Sequence, residues 1–399
     1  MPMNLPSVSD CREKNLKALK HKDLKVPQVA IYTGPGSSHS WIWLVEALEQ
    51  MAFYRMRFVS WNQIGTDLPA DVLIVPGGDT YRLAETIGSP RFEQLEQWIV
   101  EGGKYVGICA GAYLPLSSSS PPLDRFNIVK SRIRNLTRRL PTPISMEDKF
   151  SVQYGCSYVY HPVRGPVVVD FDGVKFVAPL YGGPAWEGRG DAECLCTYGS
   201  FNSGTIFLTE EAIARETLIG RPAALRKEYG DGALYLLGPH FEHPDHPGSN
   251  GVIGGILLNE NDHPFRDVGN RDDHRIVSEV RLGELKRIIS NARVTYRGLD
   301  GARWRIGCKT WDHEKIGYFV NAIWDRILRA EEMNLDIALP RRVQDGFSNC
   351  LTRMRDMQFA MRAGNDATRL AEPLFMELAD TSSIFFDSYF LALRSSIEN

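Results

Sequence analysis

Residues 104–113 read KYVGICAGAY, an apolar run that breaks at a cysteine placed between two glycines. A nucleophile at a sharp strand-to-helix turn needs small neighbours, because the chains pass close together and the backbone is strained. Gly107, Cys109 and Gly111 fit this pattern and predict a nucleophile elbow. The sulfur is expected to be exposed above the sheet edge, beside a helix N-terminus whose dipole favours the thiolate. The alternative is a buried structural thiol, the ordinary role of a cysteine in an apolar run.

Two further apolar runs end in residues that suit the same chemistry. DVLIV ends in Pro76-Gly77-Gly78, where glycines can present backbone N–H groups to an oxyanion. ALYLL is followed by His240 and Glu242, which are two positions apart, so that in extended chain the carboxylate can orient the imidazole. Taken alone, the first motif is a turn and the second is a weak signal. Together, at the carboxyl ends of predicted parallel strands, they favour a triad of cysteine, histidine and glutamate in one cleft.

Apolar runs alternate with amphipathic helical segments over most of the first 260 residues. VAIY and RFVSW are typical of strands, whereas SHSWIWLVEALEQMAFY and RFEQLEQWIVEGG have helical spacing. Between residues 151 and 210, short runs rich in Val, Tyr, Gly and Thr indicate β structure with tight turns. The alternation predicts an α/β fold in three layers, with an open, mostly parallel sheet and helices on both faces.

The chain divides into three parts by composition. Residues 1–26 are polar and lysine-rich and are expected to form a flexible N-terminal arm. Residues 27–262 hold the α/β pattern, and residues 263–399 are predicted to form an α-helical C-terminal domain without a catalytic constellation. These helices are expected to pack as a bundle against the first domain or a dimer partner. Their apolar stripes are Ile276, Val280, Leu285, Ile288 and Ile289, then Phe319, Ile323, Ile327 and Ala330.

The overall composition is that of an ordinary globular protein. The 399 residues are 43% hydrophobic and 24% charged, with a net charge of −3, which does not favour a nucleic-acid or membrane-surface binder. The N-terminal residues lack the apolar core of a secretory signal, and no window is apolar enough to span a membrane. Seven cysteines, an odd number scattered along the chain, favour reduced thiols over a disulfide framework. We therefore expect a cytoplasmic protein without nucleic-acid or membrane partners.

Residues 27–258 resemble the class I glutamine amidotransferase-like superfamily and, within it, the proteins similar to the N-terminal domain of biotin–protein ligase. The resemblance is carried by Ile31-Tyr32-Thr33-Gly34-Pro35-Gly36-Ser37, Val75-Pro76-Gly77-Gly78-Asp79, Gly107-Ile108-Cys109-Ala110-Gly111-Ala112-Tyr113, Tyr181-Gly182-Gly183 and Gly238-Pro239-His240. It implies a flavodoxin-like sheet with Cys109 as nucleophile, His240 as general base and Glu242 as orienting acid. It also implies an oxyanion hole formed by the backbone N–H groups near Gly78 and Ala110.

Two features depart from that family's pattern. Phe241 stands between the histidine and the glutamate, where the superfamily usually has proline, so the shape of the local turn stays open. The adenylate loop of biotin ligases repeats Gly-Arg-Gly-Arg, whereas residues 188–191 read GRGD and lie within the first domain. Biotin ligase activity is therefore not expected of this chain.

Three other groups of residues have both a functional and a structural interpretation. Gly34 and Ser37 follow the first predicted strand and are candidates for substrate binding, although Ser37 or Ser38 can equally cap the next helix. The histidines that follow residue 239 lie in a loop interrupted by prolines, which favours the rim of an active site over a metal site. No metal and no cofactor are predicted. The arginines between residues 125 and 140 favour a solvated helix face over an anion-binding lid.

Two functions stay open from the sequence. The first is a Cys-nucleophile amidase or glutaminase-type hydrolase that acts on a small-molecule amide, alone or as a glutaminase chain serving a synthetase partner chain. The second is a non-catalytic regulatory module of the same fold that binds a ligand or a partner. The presence of Cys109, His240 and Glu242 together favours the enzyme. The sequence does not determine the substrate or whether the protein forms a homodimer.

Overall fold

A mixed β-sheet forms the centre of the computed structural model, which describes residues 5–21, 25–65, 67–134, 161–259, 280–307 and 309–398. The strands of this sheet are β1 (Val29–Tyr32), β2 (Met56–Val59), β3 (Val72–Val75), β4 (Lys104–Ile108), β5 (Val163–Phe171), β6 (Val174–Leu180), β7 (Glu193–Phe201), β8 (Ile206–Phe207), β9 (Pro222–Tyr229) and β10 (Gly232–Leu237). Their order is β2-β1-β3-β4-β10-β9-β7-β5-β6, and β8 pairs with β5.

Strand β10 joins the two halves of the sheet. It pairs in parallel with β4, where Leu237 lies opposite Ile108, and antiparallel with β9. Strands β2, β1, β3, β4 and β10 are parallel to one another. Beyond β10, strands β9, β7 and β5 pair antiparallel. The carboxyl ends of β3, β4 and β10 therefore lie side by side, at the edge where open α/β sheets bind ligands.

Helices cover both faces of the sheet, which confirms the predicted three-layer α/β class. One face packs against α2 (Ser40–Gln50) and α6 (Pro247–Leu257), and the other packs against α3 (Thr80–Val100). Helix α3 begins well before the segment that the sequence predicts and is kinked at Gly88. Two short helices complete this region, α4 (Ala110–Tyr113) and α5 (Glu211–Leu218).

The N-terminal segment forms a helix, so the prediction of a flexible arm is wrong over α1 (Val8–Lys20). Ser7 and Asp10 form a reciprocal capping box that satisfies two backbone N–H groups at the start of the helix. One face of α1 buries Cys11 and Leu19 against α6, while its lysines lie toward solvent. The abundance of lysine hides this narrow apolar face in the sequence pattern.

The described residues from 280 onward form helices around a β-hairpin. The helices are α7 (Leu282–Arg297), α8 (His313–Glu332), α9 (Arg341–Arg362) and α10 (Thr368–Glu398). The hairpin pairs β11 (Arg303–Ile306) with β12 (Lys309–Asp312). It is not predicted from the sequence, because each of its strands has only four residues. The predicted domain boundary near residue 262 and the stripe residue Ile276 lie outside the described residues.

The helical region and the α/β region share one hydrophobic core. On α10, the ring of Phe386 lies 5.8 Å from the ring of Trp41 and 5.7 Å from that of Phe58. On α8, the ring of Phe319 lies 5.5 Å from the same Trp41. The C-terminal helices therefore cover α2 and the edge strand β2.

Deletion of residues 270–399 is expected to make the protein poorly soluble. Without α8 and α10, the rings of Trp41 and Phe58 and the apolar groups around them face solvent, and large exposed apolar patches favour aggregation. The soluble fraction after expression, followed by size-exclusion chromatography, measures the effect. A truncated chain that stays soluble and monomeric contradicts the shared core.

Two expectations about the surface can be compared with the described residues. Residues 125–134 are not helical, so the predicted helix face is wrong there; Arg125 donates to the carbonyl of Ala84 at 3.4 Å and Arg134 pairs with Glu216 at 3.0 Å. Arg132 is also outside any helix, and Arg138 and Arg139 lie outside the described residues. Across the part of the chain that is described, every helix is too short or too polar to span a lipid bilayer.

Candidate active site

Cys109 occupies a strained turn between β4 and α4. Its φ of 51° and ψ of −103° are unusual for a residue other than glycine, and it is the residue that precedes the first turn of α4. A Cβ atom at Gly111 would lie 2.1 Å from the carbonyl oxygen of Val75 on the neighbouring strand β3. A glycine is therefore required two positions after the cysteine, which is the physical reason for the small residue in this motif.

The residues that follow β10 bring His240 and Glu242 to Cys109. Because β10 and β4 are parallel neighbours in register, both chains leave the sheet at the same edge. Nδ1 of His240 lies 2.7 Å from Oε1 of Glu242, and the ring is also hydrogen-bonded to the thiol of Cys109. Both His240 and Glu242 are buried. Phe241 lies between them in the sequence and does not prevent their contact.

The electrostatics of the three side chains favour an ion pair between sulfur and imidazole. Burial raises the pKa of Cys109, but the charge and the hydrogen bond of His240 outweigh it, and the net pKa lies below the ordinary thiol value. Burial lowers the pKa of His240, but Glu242 and Cys109 outweigh it and raise that pKa to about 10. Both shifts act toward a thiolate beside an imidazolium.

Backbone N–H groups suited to an oxyanion lie next to the thiol. Gly77 and Gly78 line the same small chamber as Cys109, and Ala110 begins α4 directly after it. Within the part of the chain that the structure describes, the N–H groups of Gly78 and Ala110 donate no hydrogen bond. Two donors are therefore available where negative charge develops in acyl transfer.

The sulfur is not exposed above the sheet edge, in contrast to the expectation from the sequence. Cys109 is only 2% exposed, because Trp43 and the hairpin residues Thr310 and Trp311 close over it. The chamber beside the sulfur has a volume of about 20 Å³, which is enough for one water molecule. The resting structure therefore holds the thiol in a closed site.

The C-terminal region contributes two lysines to this chamber that the sequence pattern does not predict. Lys309 begins β12 and Lys315 lies in the first turn of α8, and both line the chamber with Cys109. The charge of Lys309 helps to lower the pKa of Cys109. Burial lowers the pKa of Lys315 to about 8, and its Nζ donates to the carbonyl of Thr310. They lie about two hundred positions after the cysteine, in a region without a recognisable motif.

Gly34 and Ser37 lie beside the chamber and not in it. Both line a crevice of about 540 Å³ between the first region and the C-terminal helices. The hydroxyl of Ser37 donates to the carbonyl of Gly34 at 2.7 Å, and His39, not a serine, precedes the first turn of α2. The capping interpretation of Ser37 is therefore not supported, and substrate binding stays a prediction.

The histidine-rich loop forms a wall behind the triad. The ring of Trp43 lies 5.5 Å from that of His240 and 4.2 Å from that of His243. Burial lowers the pKa of His243 to about 3, so this ring stays neutral. Among the described residues, no three His, Cys, Asp or Glu side chains are grouped closely enough to hold a metal ion.

The variant Gly77→Ala is expected to disturb the triad without unfolding the protein. A methyl group at position 77 would lie 2.7 Å from Cε1 of His240, so the ring must move away from the thiol. Displacement of a reacting group by about 1 Å costs on the order of 10²-fold in rate. Amide hydrolysis and the thiol pKa measure the effect, and Gly188→Ala, where a methyl group meets nothing within 4 Å, is the control. If the thiol pKa of Cys109 in Gly77→Ala equals that of the wild-type protein, the predicted displacement of the His240 ring does not occur.

Comparison with protein families supports the resemblance for part of the chain. Residues 27–121 match the family described as biotin-protein ligase, N terminal. The match includes Gly34, Gly78 and Cys109, whereas His240 and Glu242 lie beyond it. The sequence matches no curated protein.

Solved structures with a related architecture are distant in sequence. A GH42 beta-galactosidase from G. stearothermophilus is 10% identical with a TM-score of 0.35, and the alignment covers 60% of this chain and 31% of that one. A protein from Thermoplasma acidophilum that is described as a GMP synthase subunit is 13% identical with a TM-score of 0.32, covering 58% of this chain and 92% of that one. The aligned part thus spans about a third of the galactosidase. Nothing about activity follows from a likeness at this level.

Proposed function

We propose that the protein is a cysteine-dependent amide hydrolase in which Cys109 takes up the acyl group of its substrate. The observation that supports this most is the continuous chain of hydrogen bonds from Cys109 to His240 and from His240 to Glu242 at 2.7 Å. Two backbone N–H donors lie beside the sulfur, as acyl transfer requires. A nucleophile, a base and an orienting group in contact are the usual parts of such a site.

The proposed reaction has two steps that balance without an external cofactor. The thiolate of Cys109 attacks the amide carbonyl, and the N–H groups of Gly78 and Ala110 stabilise the oxyanion. The imidazolium of His240 then gives its proton to the leaving nitrogen, so that ammonia or an amine departs and a thioester remains. In the second step His240 takes a proton from water, whose oxygen attacks the thioester. The carboxylic acid leaves, and the site returns to its starting state, a Cys109 thiolate beside a protonated His240.

The alternative function is a binding module without catalysis. The observation that favours it is the burial of the sulfur, since about 20 Å³ beside Cys109 admits no substrate in the resting structure. An enzyme with this site has to admit the acyl group from the neighbouring crevice or move the hairpin β11–β12. The two functions therefore differ in whether Cys109 is reactive in the folded protein.

Alkylation by iodoacetamide tests this difference. Because the pKa of Cys109 is lowered and that of His240 is raised to about 10, the thiolate fraction at a given pH is expected to exceed that of an ordinary thiol. The alkylation rate should therefore reach its plateau at a lower pH than the rate of an ordinary thiol, and it should decline as the pH falls through the lowered thiol pKa. In His240→Ala the raising effect of burial on the thiol pKa is opposed only by the charge of Lys309. The rate at pH 7 should then fall about tenfold for each unit by which the thiol pKa increases.

Mass spectrometry of peptides identifies which thiols are labelled. Cys194 is the internal comparison, because it is half-buried and burial raises its pKa. Selective labelling of Cys109 that depends on His240 supports the hydrolase. If Cys194 is labelled at least as fast as Cys109, and His240→Ala does not change the rate at Cys109, the result supports the binding module instead.

A further inference from the structure

A large crevice separates the α/β region from the C-terminal helices. Its volume is about 540 Å³, within the range of sites that bind drug-sized molecules. One wall is the loop 33–38 after β1, together with Asp79 and Arg82 at the start of α3. The opposite wall is one side of α10, from Glu372 to Asp387. Neither wall alone encloses the space, so the crevice exists only where the two regions meet.

The crevice adjoins the small chamber that holds the thiol. Four residues line both the crevice and the small chamber that holds Cys109, namely Ser38, Gly78, Lys309 and Trp311. One of them, Gly78, carries an N–H group placed to stabilise an oxyanion. A carbonyl that reaches this N–H from the crevice therefore also approaches the sulfur, whereas the chamber itself has room only for water.

Aromatic and polar side chains share the lining of the crevice, and an ion pair lies at its mouth. Buried aromatic side chains line it from both regions, and they are Trp41, Phe58, Trp311, Phe319 and Phe375. At the mouth, Arg82 and Glu372 pair at 3.3 Å, with side chains that are 50% and 48% exposed. An ion pair so exposed contributes little binding energy. The aromatic side chains, and not this ion pair, are therefore the groups that can select an apolar ligand, although polar residues such as Ser383 and Asp387 lie beside them.

We infer that this crevice binds the acyl part of the substrate, and that the substrate is an amide with a bulky apolar acyl group. The inference rests on the proposed function and narrows its substrate class from small amides in general. The polar backbone donors sit at the inner end, beside Gly78, and the aromatic side chains line the approach to them. An apolar acyl chain is bound along the aromatic walls while its carbonyl reaches the thiol.

Trp41 adds a polar feature to this apolar wall. Its side chain is fully buried, and its Nε1 has no hydrogen-bond partner within the described residues. A buried indole N–H usually finds an acceptor. Because less than 1 Å² of this nitrogen is accessible, a ligand in the crevice reaches it only if the wall moves.

Binding of three amides of increasing acyl size tests the inference: acetamide, hexanamide and 4-phenylbutanamide. Titration calorimetry with Cys109→Ala measures affinity without turnover, and hydrolysis by the wild-type protein is followed in parallel. Affinity should increase about threefold to fourfold for each methylene buried, which corresponds to about 0.8 kcal/mol per CH₂. In Ala379→Trp, a substitution that narrows the crevice from α10, this increase should disappear. Val294→Trp, on the exposed surface of α7, is the matched control and should leave it unchanged.

The outcomes separate this inference from the proposed function. The inference about the crevice is wrong if affinity does not change with acyl size. It is also wrong if affinity increases with acyl size as much in Ala379→Trp as without this substitution. If acetamide is nevertheless hydrolysed through Cys109, the hydrolase proposal survives. If affinity increases with acyl size and depends on the crevice but no amide is hydrolysed, the crevice binds such ligands and the hydrolase proposal fails.

Discussion

The variant Cys109→Ala is expected to lose amide hydrolysis, with kcat/KM lower than that of the wild-type protein by about 10⁴-fold or more. Without the sulfur no thioester forms, and His240 and the N–H groups of Gly78 and Ala110 retain only their effect on a direct attack by water. Removal of a nucleophile that acts together with its base usually costs nearly the whole of the joint contribution. The measurement is ammonia release from a panel of amides that includes glutamine.

The control for this experiment is Cys194→Ala. Cys194 lies on β7, and its thiol donates to the carbonyl of Cys196 at 3.3 Å, away from the triad. Its removal should leave hydrolysis within about twofold of the wild-type rate, consistent with a substitution outside functional features. If Cys109→Ala hydrolyses amides as well as the control does, the reaction uses another nucleophile and the proposed function is wrong.

The triad could be found from the sequence because each of its parts follows a strand. Cys109, Gly78 and His240 each stand within a few residues of an apolar run, and parallel neighbours bring such positions together whatever the intervening chain does. Glu242 meets His240 even though Phe241 replaces the usual proline. The α/β class was predictable for the same reason, since it depends on local alternation of strands and helices.

The closure of the site could not be predicted from the sequence, because it depends on contacts between distant parts of the chain. The hairpin strand KTWD has only four residues, with Thr310 and Trp311 buried between half-buried neighbours, so its pattern gives no signal that it covers another site. Lys309 lies about two hundred positions after the nucleophile. Similarly, the lysines of α1 hide the contact that buries Cys11. In each case the partner surface, and not the local pattern, determines burial.

The contact between the two regions has a consequence for the site. Trp311 and Lys309 are held over Cys109 by a hairpin that belongs to the C-terminal region, and the crevice walls come from both regions. The polar contacts that fix α8 on α2 therefore also fix the access to the thiol. Of these contacts, the cluster around Arg326 is the most deeply buried.

The variant Arg326→Ala is expected to lower the free energy of unfolding by about 3–5 kcal/mol, the usual cost of removing one partner from a buried ion pair. Arg326 on α8 is 3% exposed and donates hydrogen bonds to Glu46 and Glu49 of α2. Glu49 also accepts from the hydroxyl of Tyr389 on α10 at 2.9 Å. Without the guanidinium, the Glu49 carboxylate stays buried, and the more exposed Arg329 is its remaining ion-pair partner among the described residues. Urea denaturation followed by circular dichroism measures the change.

Arg329→Ala is the matched control, because Arg329 binds the same Glu49 at 2.9 Å but its side chain is 42% exposed. Its loss should cost about 1 kcal/mol or less, as for exposed ion pairs. The double variant Arg326→Met, Glu49→Gln should recover part of the stability, since it removes the buried carboxylate charge and keeps an acceptor for the hydroxyl of Tyr389. Equal effects of Arg326→Ala and Arg329→Ala would show that burial of the ion pair does not hold the two regions together. The hairpin over Cys109 would then be fixed by apolar packing alone.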